Sequence, residues 1–446
     1  MRDCRSAGSP LDLDGRFTNR WMAAFLLAAC AFCVSTLTLS MIRGQSSALI
    51  VGDGAQYYAW TRSTILDGDV DFRNDYSLLY PPDPLPPEVD QLTPAGLIVN
   101  KYPVGMALLE TPGLLLGHGI ALVVGAWPTN GASAPYQLSV TLSLAVFYLY
   151  SIYLLYLAAR RFGAPAPAAG LFCSAMLVAT NLWHYVVKEP AMAHGAGLAL
   201  CCVVLFLLSG WPSRWEEIGS GSLILVGVSA GMLFLVRNTN MVLAPILATL
   251  VFRGRSVAPR PVFLMTASAL VVASLQPLAL YSLWGEPRLL PYPAESFAGG
   301  WSGVLGTLVS DRHGLFVYHP WYVVLLGLCL AALFDSSLRA LAAGSVASFV
   351  LLVLVNGSWW CWWFGDSFGN RAFIESLPCL TLISALRFPR LALRRASVQA
   401  LRVVLVGTIL LNALLWVGYL FRRFPPDGLH TKAEAYFWLL RSNVSD

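Results

Sequence analysis

Apolar runs long enough to cross a lipid bilayer recur from one end of this 446-residue chain to the other. A run of about 18 residues or more with few charges is typical of a transmembrane helix, because roughly 20 helical residues span the hydrocarbon core. In agreement, 57% of the residues are hydrophobic and only 12% are charged. Soluble domains carry about twice that charged share. The sequence therefore predicts an all-α, multi-pass integral membrane protein.

The first apolar run, Trp21 to Ile42, is expected to be a retained helix. It is too long for the core of a signal peptide and is not followed by a small-residue cleavage site. The net charge of +5 comes from arginines dispersed at the helix ends, and the chain has no basic stripe. We therefore expect membrane lipids among its partners, and no nucleic acid.

The arginines also predict the orientation, because cytoplasmic loops of membrane proteins are enriched in positive charge. Residues 1–20 form a cytoplasmic tail under this rule, since they carry Arg2, Arg5, Arg16 and Arg20. Residues 44–100 contain eight acidic residues against two arginines and are expected outside.

The next apolar run, 103–127, decides on which side of the membrane each later loop lies. If it spanned the membrane, Arg160 and Arg161 would fall on the outer side. Pro103, Glu110, Pro112, Gly113 and His118 interrupt the run, which favours a broken, partly interfacial segment. We therefore predict that residues 44–135 lie outside and include juxtamembrane helices.

With this topology, eleven transmembrane helices are expected within a single domain, residues 21–421. Residues 422–446 form a short outer tail. The predicted spans are 21–42, 136–158, 168–186, 191–209, 221–236, 240–252, 261–284, 316–334, 338–356, 373–386 and 399–421.

This topology collects the polar segments on one face of the membrane. The three lysines of the chain, Lys101, Lys188 and Lys432, all fall on that face. The polar motifs are V-G-D-G-A-Q-Y-Y (51–58), N-K-Y-P-V-G (100–105), K-E-P (188–190), R-N-T-N (237–240), H-G-L-F-V-Y-H-P (313–320) and W-W-F-G-D-S-F-G-N-R (362–371).

In this order, together with A-R-R-F-G at 159–163, the motifs resemble those of GT-C glycosyltransferases over nearly the whole chain, from Trp21 to about Leu420. That superfamily includes bacterial aminoarabinose transferases and protein O-mannosyltransferases. The resemblance implies a GT-C-like fold in a bacterial inner membrane. It also implies transfer of a sugar from a polyprenyl-phosphate donor to a lipid, glycan or protein acceptor on the periplasmic side.

Such a transfer needs a carboxylate to take the proton of the acceptor hydroxyl, and cations to stabilise the leaving phosphate. The acid of the first outer loop in the superfamily corresponds to Asp53, which is then the general base of an inverting reaction. Its Lys-Pro element corresponds to Lys101 with Tyr102 and Pro103, so Lys101 is expected at the donor phosphate. Further candidates for substrate binding are Tyr57, Lys188, Glu189, His194, Arg237 and Arg371.

Several of these residues have structural alternatives. Asp53 could cap a helix over residues 54–66, because Asp is a favoured N-cap. Lys188 and Glu189 could pair only with each other, and Arg237 could be an interfacial anchor. The tryptophans between residues 359 and 363 suit an aromatic belt, or a wall that stacks on a sugar or a prenyl chain.

Two departures from the superfamily pattern leave questions open. An acidic pair in the first loop is here a single acid followed by Gly54, so a divalent metal is possible but not certain. No soluble outer domain is attached, so the acceptor is open. A polysaccharide ligase or polymerase, and a transporter or flippase of lipid-linked substrates, are the alternative functions.

Overall fold

The computed structural model describes residues 15–42, 49–80, 91–290, 292, 295–391 and 395–421, and in these ranges the chain is a bundle of α-helices. The helices are α1 (Gly15–Ile42), α2 (Asp53–Arg62), α3 (Arg73–Leu79), α4 (Gly105–Val124), α5 (Ala134–Arg161), α6 (Ala166–Val178), α7 (Leu182–Val187), α8 (Ala193–Ser209), α9 (Ser220–Val236), α10 (Ala244–Val251), α11 (Pro259–Ala273), α12 (Leu275–Trp284), α13 (Gly300–Val309), α14 (Leu315–Tyr318), α15 (Trp321–Ala332), α16 (Arg339–Ser358), α17 (Leu377–Leu391) and α18 (Arg395–Leu420). A π-helical turn covers Ser63–Asp67, and 3₁₀ turns cover Trp215–Glu217, Asn238–Leu243 and Arg371–Ser376.

The prediction of an all-α, multi-pass membrane protein is confirmed. Seven helices in the described ranges are long and apolar enough to cross a bilayer, and six more are apolar but have only 10–17 residues. Each of the eleven predicted spans overlaps an apolar helix. The number of helices that cross the membrane stays a prediction.

The loops that carry the arginines meet at one end of the bundle. The Arg161 guanidinium lies 4.2 Å from the Phe206 ring centroid, and that of Arg253 lies 5.4 Å from the Phe162 ring centroid. Arg255 donates from Nε to the Pro212 carbonyl at 3.1 Å. We term this the arginine end, and the positive-inside rule assigns it to the cytoplasm.

Helices α1 and α5 run antiparallel along the whole bundle. Near the arginine end, the Tyr156 hydroxyl of α5 donates to Asn19 Oδ1 of α1. At the opposite end, the Gln137 side chain of α5 accepts from the backbone amide of Leu49, just beyond α1, at 2.5 Å. The start of α5 therefore marks the end of the bundle opposite the arginines.

The prediction that the segment 103–127 is broken is wrong, because α4 is one continuous helix from Gly105 to Val124 with Pro112 inside it. Close packing on α5 supports it. A Cβ atom on Gly113 would lie 2.6 Å from Val140 Cα, and one on Gly117 would lie 2.6 Å from Tyr136 Cα. These glycines let the two backbones approach, so van der Waals contact offsets the hydrogen bond that proline removes.

The position of α4 supports the proposal that it does not span the membrane. At its start, a side chain on Gly105 would overlap the backbone of Leu235, at the last turn of α9. From there α4 runs antiparallel to the first half of α5, towards the end of the bundle opposite the arginines. We propose that α4 lies in the outer half of the bilayer and that residues 44–135 remain outside.

Cysteine labelling tests this proposal. Ala126 is an exposed residue just after α4. We expect Ala126→Cys to react with a membrane-impermeant thiol reagent in intact cells, in a background without the accessible native cysteines. The matched control is Val257→Cys, 75% exposed at the arginine end, which should react only after lysis. Reaction of Ala126→Cys only after lysis would contradict the topology.

Two other predicted elements need correction. The span 168–186 is interrupted at residues 179–181, because Thr180 Oγ1 bonds back to the Met176 carbonyl at 2.7 Å and accepts from the Leu182 amide at 3.2 Å. Such side-chain bonds compete with the helical ladder. The region from Glu286 to Pro320, most of which falls between the predicted spans 261–284 and 316–334 and was therefore expected to be a loop, contains α13 and α14.

Short helices leave a hollow at the end opposite the arginines. Helices α8, α9 and α17 have 15–17 residues, against 28 for α5. At a rise of 1.5 Å per residue, they are roughly 15 Å shorter or more. A Cβ on Gly195, near the start of α8, would lie 2.5 Å from the ring of Tyr148, at the middle of α5. Three helix ends therefore meet inside the bundle, displaced from the start of α5 towards the arginine end. They are the starts of α8 and α17 and the end of α9.

Candidate functional site

Asp53 stands at the floor of this hollow, in the first turn of α2. The N-cap of α2 is Gly52, with a φ of 56°, a conformation that favours glycine. Asp53 makes no capping bond to the helix, so the capping alternative is wrong. Its Oδ2 atom instead accepts from Arg371 Nη2 at 2.5 Å, and its side chain remains 31% exposed.

Hydrogen bonds fix residues 100–102 against α2. Trp60 Nε1 donates to the Tyr102 carbonyl at 3.0 Å, and Asn100 Nδ2 donates to the Gln56 carbonyl at 2.8 Å. The rings of Tyr57 and Tyr102 consequently pack with centroids 4.6 Å apart. The Tyr102 hydroxyl faces Asp53 and lowers the pKa of its carboxyl group.

Arg371 reaches Asp53 from the far side of the hollow, at the end of the loop 359–370. Gly369 has a φ of 65°, and any side chain there would overlap the ring of His319. The next residue is held because Asn181 Nδ2, at the break between α6 and α7, donates to the Asn370 carbonyl at 3.0 Å. These constraints place the arginine opposite the start of α2, although 318 positions separate it from Asp53.

The surroundings of Asp53 keep it ionised. Burial alone would raise the pKa of its carboxyl group. The charge of Arg371, the hydroxyl group of Tyr102 and the charge of Lys101 outweigh it, so the pKa lies below the ordinary value of 3.8. Asp53 is therefore a carboxylate at neutral pH.

A second ion pair lies beside the first. Arg237 follows the last residue of α9, and its Nη1 donates to Glu375 Oε1 at 2.9 Å. His194 Nδ1, at the start of α8, is 3.1 Å from the same oxygen. Glu375 is 1% exposed and packs on Gly197, where a Cβ would lie 2.7 Å from its Cγ. This acid was not among the residues that the sequence predicted.

A third ion pair joins Lys101 to Glu295. Its Nζ lies 2.9 Å from Glu295 Oε1, and both side chains are largely buried, at 20% and 15% exposure. Tyr292 lies close to the same groups. Burial raises its pKa to about 12; Arg237 and Lys101 oppose the increase, and Glu295 adds to it. Lys101, Glu295, Tyr292 and Arg237 therefore belong to one cluster.

Glu189 extends the cluster on the other side of Arg371. Burial raises the pKa of its carboxyl group. His184 and Arg371 lower this pKa by more than burial raises it, so the pKa is below its usual value. His184 Nε2 lies 3.3 Å from Glu189 Oε1, and its Nδ1 accepts from Trp416 Nε1 at 3.1 Å. Glu189 therefore pairs with His184 rather than with Lys188.

The structure thus brings together most of the predicted site residues. Lys188 is the exception, since its half-buried side chain makes no hydrogen bond or ion pair with the described residues. The residues that converge around the Asp53–Arg371 pair are Tyr57, Lys101, Tyr102, Glu189, His194 and Arg237.

Several buried polar atoms at this site have no hydrogen-bond partner among the described residues. Buried polar groups in proteins are nearly always bonded, so each such atom indicates a missing partner. These atoms are Arg371 Nε, Glu375 Oε2, Asn370 Oδ1, Gln56 Oε1, Asn238 Oδ1 and Thr239 Oγ1. Water or the hydroxyl groups of a bound substrate can donate to the oxygen atoms, and a phosphate can accept from Arg371 Nε.

The residues present do not fit a divalent metal. Hard cations take several oxygen ligands, carboxylates above all, and no group of three or more His, Cys, Asp or Glu that could hold a metal lies among the described residues. The carboxylate of Asp53 faces a guanidinium instead. Gly54 packs on Ala191, where a Cβ would meet the alanine Cβ at 3.2 Å, so a second acid here would require Ala191 to shift.

The comparisons with known proteins identify the fold. No protein family matches the sequence by profile, and no curated protein matches it by sequence. Among solved structures, the chain is similar to apo ArnT from Cupriavidus metallidurans, with a TM-score of 0.50 and 14% identity, over 83% of this chain and 60% of that one. The chain thus spans well under two thirds of the length of that protein.

A second similar structure is the oligosaccharyltransferase AglB from Archaeoglobus fulgidus, in complex with an inhibitory peptide and a dolichol-phosphate. Its TM-score is 0.48 at 14% identity, over 94% of this chain and 56% of that one. ArnT has the fold of GT-C glycosyltransferases. The chain therefore has a GT-C fold, as its motifs predicted.

Proposed function

We propose that the protein transfers a sugar from a polyprenyl-phosphate donor to an acceptor hydroxyl, with inversion, on the outer face of a bacterial inner membrane. The observation that carries this proposal is the Asp53–Arg371 pair beside Lys101 and Arg237 in a hollow of an apolar helix bundle. A carboxylate and three cations at one point suit a reaction that moves one proton and releases one phosphate.

In the proposed reaction, the acceptor oxygen attacks the anomeric carbon as the bond from that carbon to the phosphate oxygen breaks. The electron pair of the broken bond stays on the polyprenyl phosphate, where Lys101 and Arg237 stabilise it. The acceptor proton passes to Asp53. A strongly ionised carboxylate is a weak base, so the proton leaves late, when the sugar has become cation-like and the attacking hydroxyl is acidic.

An apolar cavity provides a place for the prenyl chain. A cavity of about 350 Å³ lies between α4 and α12, with Trp60 and Val104 in its wall. These two residues also flank Tyr102, whose hydroxyl lowers the pKa of Asp53. A prenyl chain in this cavity would hold its phosphate near Lys101.

Release of polyprenyl phosphate distinguishes this function from the alternative of a flippase. We propose incubating the purified full-length chain with donor lipids extracted from the source membranes and with an envelope fraction as acceptor. A transferase converts the sugar lipid to free polyprenyl phosphate, which mass spectrometry detects. A flippase moves the lipid and leaves the bond between sugar and phosphate intact, so an unchanged lipid pool would refute the transferase function.

The pH profile of kcat/KM is expected to reflect the Arg371–Asp53 pair. The pKa of Asp53 is below 3.8, so the carboxylate persists at higher pH and its protonation should limit activity only below about pH 4. In Arg371→Gln the effect of burial is no longer offset by the strongest cation, so the acid limb should move to higher pH. If the acid limb is unchanged in an Arg371→Gln variant that remains active, the ionisation of Asp53 does not control kcat/KM.

A further inference from the structure

Three cations of the site each have a carboxylate partner: Arg371 pairs with Asp53, Arg237 with Glu375 and Lys101 with Glu295. In the absence of substrate, each of these three cations is therefore already paired with a negative charge. A phosphate brings another negative charge into a partly buried site, where repulsion from a carboxylate is only weakly screened. At least one carboxylate must move away from its cation before the donor phosphate can pair with it.

Only one of the three acids is placed to move. Asp53 is needed at the acceptor. Glu375 is buried, accepts from Arg237 and packs on Gly197. Glu295 lies in the segment between α12 and α13 and is 15% exposed. Among the described residues it has one other side-chain bond, a long one of 3.4 Å from Trp360 Nε1.

We infer that Glu295 is an internal counter-ion that occupies the phosphate position of Lys101 and is displaced by the donor phosphate. The inference rests on the proposed function, because it takes Lys101 as a ligand of the polyprenyl phosphate. When the sugar has left, the returning Glu295 competes with the product phosphate for Lys101. Glu295 thereby weakens the binding of donor and product alike, and it favours release of the product.

The backbone next to Glu295 keeps it poised for return. Trp360 N donates to the Ser296 carbonyl at 3.0 Å, and Gly299 N donates to the Ser358 carbonyl at 2.8 Å. The Phe297 ring packs edge-on against Trp359 with centroids 5.2 Å apart. Because these contacts hold the main chain, the exchange requires only a rotation of the Glu295 side chain about its own bonds.

Binding of farnesyl phosphate, with farnesol as the uncharged counterpart, tests this inference by calorimetry on the purified full-length protein. Glu295→Gln keeps the shape and removes the charge. We expect it to bind farnesyl phosphate roughly tenfold more tightly and to bind farnesol unchanged. The tighter binding of farnesyl phosphate caused by Glu295→Gln should be absent when Lys101→Ala is also present. Glu286→Gln is the matched control, since Glu286 pairs with Arg288 on the same connection and should have no effect.

The outcomes separate this inference from the proposed function. If Lys101→Ala weakens farnesyl phosphate binding but Glu295→Gln does not strengthen it, the counter-ion role is refuted and the phosphate site stands. A gain that persists without Lys101 also refutes the role. If Lys101→Ala leaves the preference for farnesyl phosphate over farnesol intact, both the inference and the proposed phosphate site are refuted.

Discussion

Asp53→Asn is expected to lower turnover by roughly 10² to 10⁴, the usual contribution of one positioned general base. Asparagine has nearly the same shape and can still accept from Arg371, so folding and donor binding should be largely retained. The loss should therefore appear in kcat rather than in donor affinity, because the missing interaction is a proton transfer in the transition state.

Steady-state kinetics with the donor lipid varied would show this separation. Glu286→Gln is a control for the same chemical change at an exposed acid outside the cluster around Asp53, and it should behave as wild type. If Asp53→Asn keeps near-wild-type turnover, Asp53 is not the base. Glu189, which lies on the other side of Arg371, would be the next carboxylate to replace.

Lys101→Ala is expected to weaken donor binding and slow transfer together, with kcat/KM reduced roughly 10- to 100-fold, the range for loss of a charge-assisted hydrogen bond. Two independent observations select this lysine. The motif N-K-Y-P resembles the phosphate-binding element of the superfamily, and the structure places Lys101 in the cluster that contains Asp53 and Arg237.

The control is Lys432→Ala, which removes the same charge in the predicted outer tail. Lys432 lies outside the described residues. We expect this variant to bind and turn over donor as wild type does. Equal, small effects at both lysines, in the calorimetric and kinetic measurements, would show that the phosphate site is elsewhere and that the placement of the lysines has no functional meaning.

Much of the fold could be predicted from the sequence because the bilayer imposes a strong constraint. Backbone groups in hydrocarbon must bond within their own helix, so long apolar runs have few alternatives. The arginines then assign the loops to sides of the membrane. The grouping of Asp53, Lys101, Arg237 and Arg371 at one end of the bundle follows from that assignment, and the structure agrees with it.

The errors in the fold arose where local packing overrode composition. Pro112 predicts a break, but the glycines that seat α4 on α5 preserve the helix. Residues 179–181 look continuous with their apolar neighbours, yet the bonds of Thr180 end α6 there. The region between the predicted spans 261–284 and 316–334 contains α13, because the glycines of this helix allow it to pack on Trp362 and on the end of α16.

The pairing of charges could not be predicted, because it depends on residues far apart in the sequence. Asp53 and Arg371 meet across the hollow, as do Lys101 and Glu295. Glu375 was missed although a signal existed. It stands four residues after Arg371, at the start of an apolar run, and an ionisable residue in such a segment indicates function or a buried partner.

Mass spectrometry of the lipids bound to Asp53→Asn tests the central claim most directly. This variant should bind the donor but not consume it, so the protein purified in mild detergent should retain a polyprenyl phosphate that still carries its sugar. The mass would also identify that sugar. Lys101→Ala, purified in parallel, should retain little of it. If Asp53→Asn carries no polyprenyl phosphate, or if Lys101→Ala carries an equal amount, this hollow is not the donor site.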